Sequence, residues 1–228
     1  MSSQYERELR QVLAGVPTGV EAVIRSCTPA EKERMRLVLN RPFLVVRAAG
    51  SGMEGTGDLL VLRGDLCFPI EVKSTKANKL YLSGRTKDQY DAMVLEGERC
   101  HLMPLYAHRL KGVRGDSWRI FRVETSNLTG RLRQLEKWIP AFPKNRNGSN
   151  YLNWEDGMPL NQLVALLCST AGSEASSLAG LTSRASPPLT SSLPSTSADV
   201  PQPAPITPAL RARTQTNVLA ELARRRSS

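Results

Sequence analysis

Residues 57–73 read GDLLVLRGDLCFPIEVK, two apolar runs with Asp58, Glu71 and Lys73 at their ends. Leu59–Arg63 and Leu66–Val72 are rich in strand-forming residues, and the Gly64-Asp65 pair between them is a hairpin signal. With Gly64 and Asp65 as the loop, Arg63 faces Leu66, and counting outward sets Asp58 opposite Glu71. Side chains so opposed share a face and lie about 5 Å apart at Cβ. Lys73, two residues on, keeps to that face. Leu59, Val61, Phe68, Ile70 and Val72 take the other face and form a core. Pro69 breaks the pattern, because proline has no ladder donor. A bulge there would move the Asp58–Glu71 register by one residue.

Two carboxylates this close need a cation. Lys73 can neutralise one. A hard divalent ion such as Mg²⁺ satisfies both, since it prefers oxygen ligands and commonly takes one or two protein carboxylates. Lys73 is then available to face a phosphate. A structural ion-pair cluster at a strand end uses the same three residues, so spacing alone leaves both readings open. The net charge of +10 and pI near 9.8 suggest a polyanionic partner. The glycine-rich AAGSGMEGTGD before Asp58 matches neither a P-loop nor a dinucleotide fingerprint.

Together, VVRAAGSG, GDLLVL, IEVKSTK and LYL resemble, in order and spacing, the archaeal-type Holliday junction resolvases of the PD-(D/E)XK nuclease superfamily. YERELRQVL is similar to that family's first helix, and YLNWEDGMPLNQLVALL to its C-terminal end, so the resemblance spans residues 4–168 with two interruptions. It implies an α/β, restriction-endonuclease-like core: a mixed central sheet flanked by helices. It implies metal ligands at Glu6, Asp58, Glu71 and the Val72 carbonyl, for Mg²⁺ with Mn²⁺ as a substitute. Lys73 and Ser51 take catalytic roles, and Arg7 and Arg47 contact the DNA backbone. The implied activity is resolution of four-way DNA junctions by paired incisions, in recombination and repair, by a homodimer. The alternatives are another nuclease of the superfamily, cutting flaps, nicks or duplex, and a non-catalytic DNA-binding protein on this fold.

Two features depart from the family. Residues 14–41 stand where a short loop is usual; within them Thr28, Pro29 and Glu31 form a capping signature for a helix over 29–39. The wider superfamily's usual Pro-Asp is here Gly57-Asp58, and the proline has no chemical part. Tyr5, Leu9, Val12 and Leu13 make an apolar stripe with Glu6 at its edge, where a surface pair with Arg10 is the plain alternative. Further on, Thr86 reads as a helix cap with Gln89 three residues later, and Tyr90, Met93 and Val94 on one face. CHLMPLYAH and SWRIFRV read as strands, and TGRLRQLEKWI as a basic helix.

The reading gives a nuclease domain over 1–170, with inserts near 15–40 and 127–148, and a tail over 171–228. The tail is rich in Ser, Pro, Thr and Ala, a composition that predicts disorder, and ends in a basic stretch that could meet nucleic acid or an unknown partner. Most of the excess positive charge falls before residue 171. Cys27, Cys67, Cys100 and Cys168 show no paired spacing and read as free thiols, with Cys67 in a core strand. His101 and His108, seven apart in a strand region, are expected on opposite faces, sharing no metal. The Arg63-Gly64-Asp65 triplet is a hairpin tip. With no apolar run long enough for a membrane and no leader pattern, a soluble, intracellular, cytoplasmic protein is expected.

Overall fold

In a computed structural model, which describes residues 4–48 and 55–169, three helices precede the first strand. They are α1 (Gln4–Leu13), α2 (Pro17–Ile24) and α3 (Pro29–Asn40). Thr28 caps α3 reciprocally with Glu31, as its sequence signature requires. The helix α2 was not anticipated. It has eight residues and contains Gly19, and its one start signal, the proline at its first turn, comes without a side-chain cap. Gly19 packs so closely on Gln11 of α1 that a Cβ there would lie 2.5 Å from the Gln11 Cβ.

The strands are β1 (Leu44–Arg47), β2 (Leu59–Arg63), β3 (Leu66–Thr75), β4 (Lys79–Tyr81), β5 (Leu105–Leu110), β6 (Trp118–Arg122), β7 (Tyr151–Asn153) and β8 (Met158–Pro159). Helix α4 (Arg85–Cys100) joins β4 to β5, α5 (Gly130–Leu135) follows β6, and α6 (Leu160–Cys168) follows β8. The main sheet is mixed, in the order β1-β2-β3-β5-β6-β8, with β3 and β5 parallel and the other pairs antiparallel. Strands β4 and β7 form a separate pair. This is the expected fold class, a mixed central sheet flanked by helices.

Each face of the sheet has its own core. Leu59, Val61, Phe68 and Ile70 pack with α1, α2, α3 and α6 on one side. Tyr106, Phe121 and Val123 pack with Tyr90 and Met93 of α4 and with Leu152 on the other. Helix α3 is part of the first core through Met35 and Val38, both fully buried. It also meets α6, where Arg34 Nε donates to Asn161 Oδ1 at 2.6 Å.

The hairpin forms in the expected register: Leu59 pairs with Ile70 and Arg63 with Leu66. There is no bulge at Pro69, which faces Leu60. The ladder to β5 begins one residue later, at Ile70, so the missing proline donor falls just outside it.

Other boundaries differ from expectation. Cys100 ends α4 and His101 is its left-handed cap, so the strand expected from residue 100 starts at Leu105 and the two histidines do not share one strand. Thr86 lies inside α4; its hydroxyl bonds back to Ser83 N and O and does not cap forward. The basic helix α5 spans only six residues, and Pro140 follows soon after. The four cysteines are free, but Cys67 is partly exposed on β3.

Buried Asp116 fixes the C-terminal helix. Its Oδ2 accepts from Asn161 N at 2.8 Å and Nδ2 at 2.7 Å, and its Oδ1 from Trp118 N at 3.1 Å. Removing that acceptor leaves buried donors unpaired. Asp116→Ala should therefore cost at least about 1–3 kcal/mol, measured by urea unfolding; an unchanged midpoint would show that α6 docks by apolar contact alone.

Candidate active site

Asp58 immediately precedes β2, and its backbone is tied to both neighbouring strands. Its N–H donates to Ile70 O at 2.8 Å, and its carbonyl accepts from Ala48 N at 2.9 Å. The side chain is fixed as well, with Oδ2 accepting from Val72 N at 2.8 Å. Gly57 makes this approach possible. Its φ is +69°, and a Cβ there would lie 2.6 Å from the Ile70 carbonyl oxygen. Proline, locked near φ −65°, cannot adopt that conformation, so glycine is a structural requirement of this loop.

Across the hairpin, Glu71 is 6% exposed, and its Oε1 lies 2.7 Å from Lys73 Nζ. Lys73 Nζ also donates to Gln89 Oε1 of α4 at 2.8 Å. The ammonium thus goes to Glu71, while Asp58 has a backbone donor. Burial foremost, then the Glu71 charge, push the Asp58 carboxyl up to about 6; the Val72 N–H opposes this, Glu6 adds to it, and Lys73 opposes it. Beneath the pair, Tyr106 is the β5 neighbour of Glu71, and its buried hydroxyl has no partner among the described residues.

Glu6 acts on Asp58 through its charge, and its Oε2 lies 3.9 Å from Arg47 Nε at the end of β1. The structure therefore brings Glu6, Arg47, Asp58, Glu71 and Lys73 to one end of the sheet. Arg7 is exposed and lines a different cleft, with Glu8, Gly19 and Arg109. Ser51 lies outside the described residues. Gln89, read in the sequence only as a capping position, belongs to the site; neither strand alternation nor spacing points to it.

The donor set suits a hard divalent ion. Two facing carboxylates supply oxygens, and the strand's alternation turns the Val72 carbonyl to the same edge as its N–H, beyond the last ladder pair. Burial, and after it the Glu71 charge, raise the Asp58 carboxyl, and a bound cation would favour its ionised form. Among the described residues no three Asp, Glu, His or Cys side chains converge as a metal site, so the fit is to a two-carboxylate site completed by water, the usual mode for Mg²⁺.

A mixed sheet with paired carboxylates and a lysine at one hairpin end is an arrangement suited to phosphodiester chemistry. The family model for archaeal Holliday junction resolvase (Hjc) matches residues 28–134. That stretch contains α3, β1, the hairpin, Lys73 and α4, so the helix expected as an insert lies within the match; α1 with Glu6 and Arg7 precedes it. Among solved structures, the chain is similar to the 1.6 Å structure of Archaeoglobus fulgidus Hjc, a Holliday junction resolvase from an archaeal hyperthermophile. The identity is 20%, over 54% of this chain and 81% of that one, with a TM-score of 0.37. No curated protein sequence matches.

The Gly57 contact yields a direct test. Gly57→Ala forces a positive φ on a residue with a Cβ, which costs about 1–2 kcal/mol before the clash with Ile70 is counted. Its thermal midpoint should fall measurably; a variant as stable as the parent would show that the loop adopts another path.

Proposed function

We propose that the chain is a metal-dependent endodeoxyribonuclease that resolves four-way DNA junctions by paired cuts. The observation that carries this is the Asp58–Glu71 pair with Lys73 Nζ 2.7 Å from Glu71, all within the family-matched stretch. In this reading Asp58, Glu71 and the Val72 carbonyl hold Mg²⁺, or Mn²⁺ in its place, with Glu6 on the approach from α1. When bound, the ion supplies Lewis-acid stabilisation of the phosphate charge. Lys73 presents its ammonium to the phosphate, where it counters charge that grows during cleavage. Arg47, beside Glu6 at the end of β1, and Arg7 contact the DNA backbone. A net charge of +10 favours that contact at any sequence. Selectivity for junctions is a matter of shape.

A junction has approximate two-fold symmetry, and its resolution needs two opposed cuts. One hairpin makes one site, so the active form is a two-fold homodimer presenting the same patch twice. The working domain is residues 1–170, and residues 171–228 supply an auxiliary basic contact with nucleic acid or with a partner. Among the described residues no helix is long and apolar enough to cross a membrane; the proposed place of action is the intracellular DNA.

Purified protein should cut four-way junctions in Mg²⁺ and not in chelator. Asp58→Asn, Glu71→Gln and Lys73→Ala should each lose ~10²-fold or more of the rate while still binding junctions. Light scattering should report a dimer, and mixed dimers with one Glu71→Gln subunit should give single nicks. Equal cutting of junction and linear duplex by a monomer would move the assignment to another nuclease activity. Binding without cutting under any divalent metal would leave only a DNA-binding role.

A further inference from the structure

Lys73 is gripped from two directions. Glu71, two residues away on the same strand, takes its Nζ at 2.7 Å, and Gln89, on α4, takes it at 2.8 Å. An ammonium only donates, so Gln89 must turn its oxygen to the lysine and its NH2 away. Among the described residues these are the two acceptors given to Nζ. They differ in charge. A carboxylate at 2.7 Å cancels most of the lysine's field at a nearby phosphate, whereas a neutral amide holds the ammonium and leaves its charge intact.

The two acceptors also differ in what else they do. On the nuclease reading, which this inference rests on, Glu71 turns its oxygens to a cation during the reaction. Lys73 then loses its ionic partner. A four-carbon stem carrying about 2 kcal/mol of rotamer entropy would be free to swing away. Gln89 remains. Its backbone is well fixed: Tyr90 and Met93 beside it are buried in the second core, and Thr86 ties the start of α4 to Ser83.

We propose that Gln89 is a positioning residue of the active site, a neutral acceptor that keeps the Lys73 ammonium in place, uncancelled, when Glu71 is engaged elsewhere. The residue type follows from the surroundings. A glutamate here would hold the lysine too, but it would add another carboxylate beside Asp58 and Glu71 and quench the charge that the phosphate needs. Alanine would leave the ammonium with Glu71 alone.

The test uses the full-length protein, a four-way junction and Mg²⁺. Single-turnover cleavage is measured alongside junction affinity, the latter in chelator. Gln89→Ala should cut ~10–100-fold more slowly, the scale of loss when a reacting group is misplaced by about an ångström, with affinity and thermal midpoint close to wild type. Gln89→Glu should be slowed too, despite keeping its grip. Gln89→Met, of equal length, replaces the alanine variant if that one fails to fold.

A rate loss matched by an equal loss of affinity would mean a structural role and overturn the proposal. Wild-type cleavage by Gln89→Ala or Gln89→Glu would overturn it as well, leaving the nuclease reading intact. A wild-type protein that cuts no junction would remove both together.

Discussion

Two carboxylates, Asp58 and Glu71, lie at the open end of the β2–β3 hairpin, and the one ammonium beside them binds Glu71. The rest of the structure is arranged to hold that cluster. Three backbone bonds fix Asp58, a glycine with positive φ lets its loop lie on the Ile70 carbonyl, and cores on both faces keep β3 in place. Burial, with the Glu71 charge second, raises the Asp58 carboxyl, whose Oδ2 holds the Val72 N–H while Lys73 goes to Glu71.

How far this was readable from the sequence depended on whether the signal was local. The hairpin register follows from a two-residue loop and strict alternation, so Asp58, Glu71 and Lys73 could be placed on one face by counting. The α3 helix was legible because Thr28 and Glu31 carry its cap. Where a signal needed the third dimension, the reading stopped. Pro69 looked like a bulge, since nothing in the sequence says that the β5 ladder starts one residue beyond it. Helix α2 has no side-chain cap to announce it, and the strand expected from Cys100 begins only at Leu105, because α4 runs to Cys100 and His101 takes a left-handed cap that the sequence does not mark. Gln89 reaches Lys73 across a helix–sheet contact that no periodicity encodes.

The segment between α1 and β1 is part of the structural frame. Helix α3 contributes buried residues to the main core and bonds α6 through Arg34 and Asn161. Asp116 in turn ties α6 to the start of β6. Helices α3 and α6 thus pack behind the sheet, on the side away from the Glu71 face. Gly57 works on a smaller scale, its positive φ letting the loop before Asp58 lie against the Ile70 carbonyl.

The central claim is that Asp58 and Glu71 face each other in order to share a divalent cation. Anomalous diffraction from crystals soaked in Mn²⁺ tests it without reference to activity. The account predicts one peak between the two carboxylates, within coordination distance of both and of the Val72 carbonyl, and lost in Asp58→Asn crystals. A soaked crystal with no peak there, and with Lys73 Nζ still bound to Glu71, would contradict it.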